Sequence, residues 1–456
     1  MKTRISIFLE SLKSSFWFIP VLMVCAAMVF SFAMVTLDRQ LNLDSLRFYG
    51  FMYAVSPEGA RSVLSTIAGS MMTVAGVTFS ITIVVLNLAS SQFGPRLLRN
   101  FMQDRGTQFV LGTFVSSFIY CLLVLRSVDT VGKDSFVPSF SVTFAVVLAF
   151  LNVGVLIYFI HHIATSIQAD EVIAGVSREL QRSIRRIFAD ELIQESGDIT
   201  GPIVNLQKDN VAHLHTYSIP ALENGYIQAI EYDRLLQMAT ENDFLIRVLM
   251  KAGQFVVTGS PLANVSSEKE RDDDLTRVLS KLFIIGEQRT PKQDAEYSIH
   301  QLVEIAIRAL SPGINDPYTA INCIDQLGSA LSFLAKRESA GENCFDDQGR
   351  LRLVIKTFDY AGMLNAAFDQ IRQYGRTSVA VTIRLLEMLT MISGQTTVPE
   401  QRKAIHRQAN MILRTSREAL PERNDKEDVL QRHQVLLAVL NQFDDREGPY
   451  AMPHGF

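Results

Sequence analysis

The sequence predicts an α-helical membrane protein with four transmembrane helices, followed by a cytoplasmic α+β region: a small β barrel-sandwich-like module, then a mainly helical domain. Three observations predict it. Between Phe16 and Ile163 the chain is dominated by apolar runs, and a helix needs ~20 such residues to cross a bilayer core. From Gln168 onward charges recur every few residues, as in a soluble protein. Between Gly225 and Leu262 the apolar period turns from helical to alternating, with glycines as punctuation. The expected division is 1–165 for the membrane helices, 166–198 for an amphipathic linker helix, 199–268 for the β module and 269–456 for the helical domain.

The four spans are Phe16 to Leu37, Val63 to Ala89, Phe109 to Leu125 and Phe140 to Ile163. The first is read as an uncleaved span, because its apolar core exceeds that of a signal peptide and no small-x-small cleavage site follows. Lys2, Arg4 and Lys13 precede span one, Arg96, Arg99 and Arg105 follow span two, and Arg178, Arg182, Arg185 and Arg186 follow span four. In the other two loops Asp38, Asp44 and Glu58 offset Arg39, Arg47 and Arg61, while Asp129 and Asp134 offset Lys133 near Arg126. This asymmetry sets both termini in the cytoplasm.

Span two carries an unusual pattern. Thr66, Thr73, Ser80 and Asn87 recur every seven residues, and Gly69, Gly76 and Ser90 recur at the same period offset by three. They draw a small and polar stripe on one helical face, with Leu64, Ile67, Met71, Val74, Ile81, Val85 and Leu88 elsewhere. Two readings compete: close helix packing, or, with the helix repeated about a symmetry axis, a hydrated path with Asn87 at its mouth. Asn152 in span four reads as an interhelical hydrogen bond. After span two, Gly94-Pro95 breaks the helix, and Arg96, Arg99 and Phe101 suit a short interfacial helix touching lipid phosphates.

Beyond the membrane, Ile173, Val176, Leu180, Ile184 and Ile187 form one apolar face of a linker helix from Ile167 to about Leu192. Strands are expected at Gly225–Ile230 and Phe244–Leu249, with a short helix over Asp233–Ala239 capped by Asp233. Gly253 to Leu262 resembles the half-motif of barrel-sandwich hybrid domains, without the carrier lysine on a hairpin. Helices follow near Leu275–Gly286, Ala295–Leu310, Pro317–Ala335, Ala361–Gln373, Ser378–Ile392, Gln401–Ser416 and Lys426–Gln442, with one strand at Leu351–Phe358 and a polar loop at Gly341–Gly349.

One stretch is chemically dense. Arg289 and Asp294 precede a helix carrying Tyr297, Gln301, Glu304 and Arg308 on its polar face, and Asn315, Asp316 and Thr319 open the next one. Asp294 and Asp316-Pro317 are helix caps, and Glu304–Arg308 is an i, i+4 pair. The same residues could bind an anion at a helix N-terminus beside arginine, or, with Asp325, a cation through oxygen ligands; the bland reading is a hydrogen-bonded network holding a turn.

Composition bounds the function. With 43 basic and 47 acidic residues the net charge is −4, so no basic excess points to nucleic acid. Cys25, Cys121, Cys323 and Cys344 form no C-x-x-C pair, and His213-x-His215 has no Cys or acidic partner nearby. No P-loop, nucleotide fingerprint, G-x-S-x-G elbow or H-E-x-x-H occurs, so no catalytic, metal or cofactor set is assigned.

The stretches SSQFGPRLLRNF, FVLGTFVSSFIYCLLVLR, GYIQAIEYDRLLQMA, GQFVVTGSPL and RALSPGINDPYTAINCIDQL together resemble a bacterial predicted-membrane-protein family filed under a domain of unknown function. The resemblance covers nearly the whole chain and implies four spans followed by a cytoplasmic domain, with no established activity. The expectation is a homo-oligomeric inner-membrane channel or transport-like protein regulated by its cytoplasmic domain. The alternative is a non-transporting sensor or scaffold whose cytoplasmic domain binds an ion or small ligand. The lipid bilayer is a partner in either case.

Overall fold

The computed structural model describes residues 16–40, 56–102, 104–128, 136–189, 215–268, 270–336, 343–356, 359–396 and 398–444. The basic residues Lys2, Arg4 and Lys13, the loop charges Asp44, Arg47, Asp129, Lys133 and Asp134, and His213 lie outside them, as do the side chains of Arg99, Arg186 and Ile187. The chain divides into two compact units, Met1–Glu171 and Val172–Phe456.

Among the described residues of the first unit four helices are long and apolar enough to cross a membrane: α1 (Phe18–Gln40), α2 (Pro57–Phe93), α4 (Arg105–Ser127) and α5 (Ser139–Ser166). Each contains or nearly contains the span expected from hydropathy, and α2 runs further at both ends. Its 37 residues make a rod of about 55 Å, against a hydrocarbon core of about 30 Å. Ser56 accepts a hydrogen bond from the Gly59 amide and Pro57 opens the first turn. Gly94 (φ 111°) ends the helix in a conformation that favours glycine, and a 3₁₀ turn, Pro95–Leu97, leads into the short α3 (Leu98–Met102).

Helix α4 is the hub of this bundle and packs against α1, α2 and α5. Leu64 and Ala68 of α2 meet Tyr120, Cys121 and Val124 of α4 and Val142 and Ala145 of α5. Further along, Met71 and Ala75 meet Val110, Leu111 and Phe114 of α4 and Phe159 of α5. The sequence order of these partners makes α2 and α4 antiparallel, and the small residues let the backbones approach. Asn152 donates to Ser117 Oγ at 2.8 Å, the interhelical bond expected of it.

The second unit begins on α6 (Ala169–Ala189), whose Ile173, Val176, Leu180 and Ile184 are fully buried. Arg178, Arg182 and Arg185 are exposed on its other side. Eight strands follow among the described residues: β1 (His215–Pro220), β2 (Gly225–Ile230), β3 (Leu245–Val248), β4 (Phe255–Val256), β5 (Pro261–Ser267), β6 (Phe283–Gly286), β7 (Asn343–Phe345) and β8 (Leu351–Val354). They pair as a five-stranded sheet ordered β1-β5-β3-β8-β7 and a three-stranded sheet ordered β4-β2-β6. Gly253 (φ 89°) and Gly259 (φ 88°) turn the chain on either side of β4. Strands β6, β7 and β8 come from beyond residue 268, so the β region draws on chain that reads mostly as helix.

Three expectations change here, and one of them is the polar loop at Gly341–Gly349, which carries strand β7 paired with β8. The helix expected over Leu275–Gly286 stops early: α8 spans Asp273–Ser280 and Phe283–Gly286 is strand β6, paired with β2. Leu279, Leu282 and Phe283 extend the helical spacing of apolar residues, but the β-branched Ile284 and Ile285 follow and take the strand. Helix α7 (Tyr232–Asn242) has Glu231, not Asp233, at its N-cap position, without a side-chain bond. Asp233 sits in the first turn, where its charge still favours the helix dipole.

The helical part contains α9 (Ala295–Ala309), α10 (Pro317–Ala335), α11 (Tyr360–Tyr374), α12 (Val379–Ser393), α13 (Pro399–Ala419) and α14 (Arg423–Asp444). Helix α9 packs on α10 and α11, and α12 packs on α10, α13 and α14. The β7–β8 hairpin is welded to the C-terminus of α7. Arg352 bonds Asp346 at 2.8 Å and also Asp243, a left-handed residue (φ 58°). Burial alone would raise the Asp346 carboxyl, but bonds from Arg352 and from the Arg350 and Gln348 amides hold it at about 2.

Candidate functional site

Each residue of an α-helix turns by ~100°, so a seven-residue repeat stays on one side and drifts only ~20° per step. The packed side of α2 consists of Ala60, Leu64, Ala68, Met71, Ala75, Thr78, Thr82, Val85, Ala89 and Phe93. About half a turn away lie Thr66, Thr73, Ser80 and Asn87, all exposed. Ser62, Gly69, Gly76 and Ser91 share that side and are also exposed. A methyl group added at Gly69 or Gly76 would meet nothing within 4 Å. The stripe therefore does not pack inside its own bundle, and the protomer gives no steric reason for its glycines.

The local chemistry of the stripe is mixed. Thr66 and Thr73 donate to the carbonyls of Ser62 and Gly69 at 2.7 and 3.0 Å, which satisfies their protons within the helix. Their oxygens keep acceptor capacity on the outer side, and Asn87 presents an amide there. The outer surfaces of the neighbouring spans differ. Helix α1 exposes Val21, Leu22, Val29 and Phe32, and α5 exposes Phe150, Leu151, Val153, Ile157 and Ile160. Those are side chains that lipid tails accept; α2 also exposes Val77 and Val84 beside its stripe, but interleaves them with Thr66, Gly69, Thr73, Gly76, Ser80 and Asn87.

The ends of the bundle hold its carboxylates. Asp38 accepts from the Phe140 and Ser141 amides at 3.1 and 3.0 Å and so caps α5 from the end of α1. Asp104 caps α4 through the Gly106 and Thr107 amides and also meets His162 Nε2 at 2.7 Å. His162 stacks on Tyr158 (5.4 Å, 12°). Neither pairing, at separations of about 100 and 58 residues, has a signal in the linear sequence. In the elbow after α2, Leu97 is fully buried while Pro95 and Arg96 are exposed, an amphipathic turn consistent with its sequence pattern.

In the second unit, the residues expected to form one polar constellation separate into two groups. Arg289 grips Asp294 through two bonds of 2.7 and 2.9 Å, and Asp294, 4% exposed, caps α9 at the Tyr297 amide. Lys251 joins through Glu296 at 2.9 Å, with Glu296 also 3.8 Å from Arg289. Burial is the largest single influence and disfavours the Glu296 charge, yet the Lys251 bond and the nearby charges of Lys251, His300 and Arg289 together lower the carboxyl from its ordinary value. Gly253 is required here, since a methyl would overlap the Asp294 carboxylate. At the other end of α9, Asn315 (φ 50°) turns the chain and Asp316 caps α10. Asp316 takes bonds from the Tyr318 and Thr319 amides at 3.1 and 3.2 Å and from Thr319 Oγ1 at 2.6 Å. The Thr319 hydroxyl bond is the largest reason its carboxyl lies below the usual range.

The 15 residues of α9 hold these groups about 22 Å apart, so Arg289 and Asp294 share no site with Asn315, Asp316 and Thr319. Glu304 and Arg308 pair at 3.7 Å between them. Gln301, expected on the polar face, is buried because α9 has neighbours on most sides. Lys251, Glu296 and His300 complete the Arg289 group and were missed in the sequence; only the first-turn position of Glu296 hinted at it. Among the described residues, no three His, Cys, Asp or Glu side chains gather to hold a metal ion.

A family model described as Predicted membrane protein (DUF2254) matches residues 13–391, from the start of α1 to the end of α12. The chain belongs to this family. The chain is similar to an uncharacterized protein of Mycobacterium bovis and to one of Mycobacterium tuberculosis H37Rv, each 29% identical over 443 residues, covering 94% of this chain and 81% of the relative. A protein of M. tuberculosis CDC 1551 is similar to the same extent. No solved structure matches the chain. The family description agrees with the four apolar helices of the first unit and brings no activity for either candidate region.

Proposed function

We propose that this membrane protein assembles as a homo-oligomer in the bacterial inner membrane, with the outer face of α2 turned to a shared axis along which an ion or small solute passes. The observation that carries this reading is the exposure of Thr66, Thr73, Ser80 and Asn87 on the side of α2 opposite its packed face. Lipid tails accept the exposed Val77 and Val84 but gain little from the hydroxyls, amide and glycines between them, whereas a second copy gains close approach at Gly69 and Gly76 and interhelical hydrogen bonds. Copies arranged about an axis then offer hydroxyl and amide groups to a hydrated interior. In this reading both termini are cytoplasmic, Arg96 and Arg99 meet lipid phosphates, and the second unit regulates the path from the cytoplasm.

Purified protein reconstituted in liposomes is expected to pass ions or small solutes. Thr73→Leu with Ser80→Leu is expected to cut that flux while leaving the protomer folded. Absence of flux for every ion and solute tried, by protein that is folded and inserted, overturns the transport reading. The alternative, a sensor or scaffold that does not transport, gains no support from Arg289, Asp294 and Asp316. Their charges are already answered by neighbouring groups of the same chain.

A further inference from the structure

A cavity of about 630 Å³ opens in the second unit between α6, α10 and α12. That volume lies in the range of small-molecule sites, about 300–1,000 Å³. Its walls combine two kinds of chemistry. Ile184, Phe333, Met388 and Met391 supply apolar surface, and Arg185 and Lys336 supply positive charge.

The charges do not cancel within the cavity. The single acidic lining residue is Asp325, and its carboxylate is bound by Arg384 Nε at 2.6 Å. Arg384 also bonds Glu387 at 3.1 Å, so Asp325 belongs to a neighbouring ion network. Arg185 is held differently. Its guanidinium carbon lies 5.6 Å over the Phe333 ring, which fixes the side chain while leaving its N–H donors available. The apolar floor depends on a glycine: a methyl at Gly328 would overlap the Met388 side chain, so only glycine lets Met388 lie across α10.

We propose that this groove binds an anionic amphiphile, a single carboxylate, sulfonate or phosphate carried on an apolar body. The head would be held by Arg185 and Lys336 and the body laid over Phe333, Met388 and Met391. Charge complementarity selects the head, since an anion would meet Arg185 and Lys336, which make no ion pair among the described residues. Polarizable, adaptable methionines suit a flexible or aryl body. The inference is independent of the α2 path and stands whether or not the protein conducts.

The test uses the full-length protein in nanodiscs with two probes, dodecanoate and naphthalenesulfonate, and their uncharged counterparts dodecanol and naphthalene methanol. Binding is read by saturation-transfer NMR against empty nanodiscs. Both anions, or one of them, are expected to bind the native protein more tightly than their neutral counterparts. Arg185→Gln with Lys336→Gln is expected to weaken the anion by at least about tenfold and to leave the thermal midpoint unchanged, since both side chains are exposed. Ser329→Leu, which fills the groove, is expected to remove binding without a change of charge. Preference for dodecanoate identifies a lipid-derived ligand, and preference for naphthalenesulfonate a water-soluble one. No binding of either anion, or equal affinity in native protein and the double variant, overturns the proposal.

Discussion

Helices α2 and α9 both mix small, polar and apolar residues, and the protomer treats them in opposite ways. Helix α9 is enclosed: Ser298, Ile299, Gln301, Leu302, Val303, Ile305 and Ala306 are all buried, and its N-cap is locked by Arg289. Helix α2 buries one side and leaves exposed a side on which Thr66, Thr73, Ser80 and Asn87 alternate with small residues and with Val77 and Val84. In α9 the chain answers the ends of the helix, through the Arg289–Asp294 cap and the Glu304–Arg308 pair, and buries Ser298 and Gln301, with Ser298 Oγ left without a hydrogen-bond partner among the described residues. In α2 the polar groups of that side stay exposed, with the Thr66 and Thr73 hydroxyls donating back to carbonyls of their own helix. A helix's polarity becomes a functional signal only after the fold has shown which side is already occupied.

The largest expected effect tests the enclosed helix. Asp294→Ala removes the α9 cap and strands Arg289, and is expected to destabilise the second unit by about 3–4 kcal/mol in denaturant unfolding. A loss under 1 kcal/mol would mean the pair is ornamental. Next, Leu64→Ala on the packed side of α2 is expected to cost about 2–4 kcal/mol, while Thr66→Ala, two residues on, is expected to change protomer stability by less than about 0.5 kcal/mol. Equal costs would erase the two-sided description of α2.

A pH titration probes the second unit alone. The Asp346 carboxyl, depressed to about 2 in the fold, contributes stability that is complete above its unfolded value near 3.8 and is lost as pH falls toward 2. The amount is on the order of 2 kcal/mol. Asp346→Asn should flatten the acid limb between those values; an unchanged limb would show that other carboxylates set it. The smallest stability effect is expected at the stripe glycines. Gly69→Ala meets open space in the protomer and, in mid-helix, should stabilise an isolated protomer by up to about 1 kcal/mol. In the proposed assembly the bulkier Gly69→Leu is expected to disrupt association between copies, as native mass spectrometry would show.

Much of this was legible in the sequence because it rests on local rules. The four spans follow from run length, and Pro317–Ala335 has the expected ends because Asp316-Pro317 starts it and its apolar spacing stops there. Strand β6 was hidden because its leading residues continue a helical spacing, and only its partner β2 decides between the two. The stripe on α2 was legible as a pattern, but its direction required the packing of Leu64, Ala68 and Met71. Ties such as Asp104–His162 and Asp243–Arg352 join residues 58 and 109 positions apart and depend on the fold alone. The polar constellation failed as one site because nearness in sequence on either side of a helix is distance in space.

The direct test of the central claim is the cryo-electron microscopy structure of the assembled protein in nanodiscs, at side-chain resolution. The account predicts a symmetric oligomer in which Thr66, Thr73, Ser80 and Asn87 of every copy face a common axis. A monomer, or an oligomer in which that side of α2 faces lipid, would contradict it.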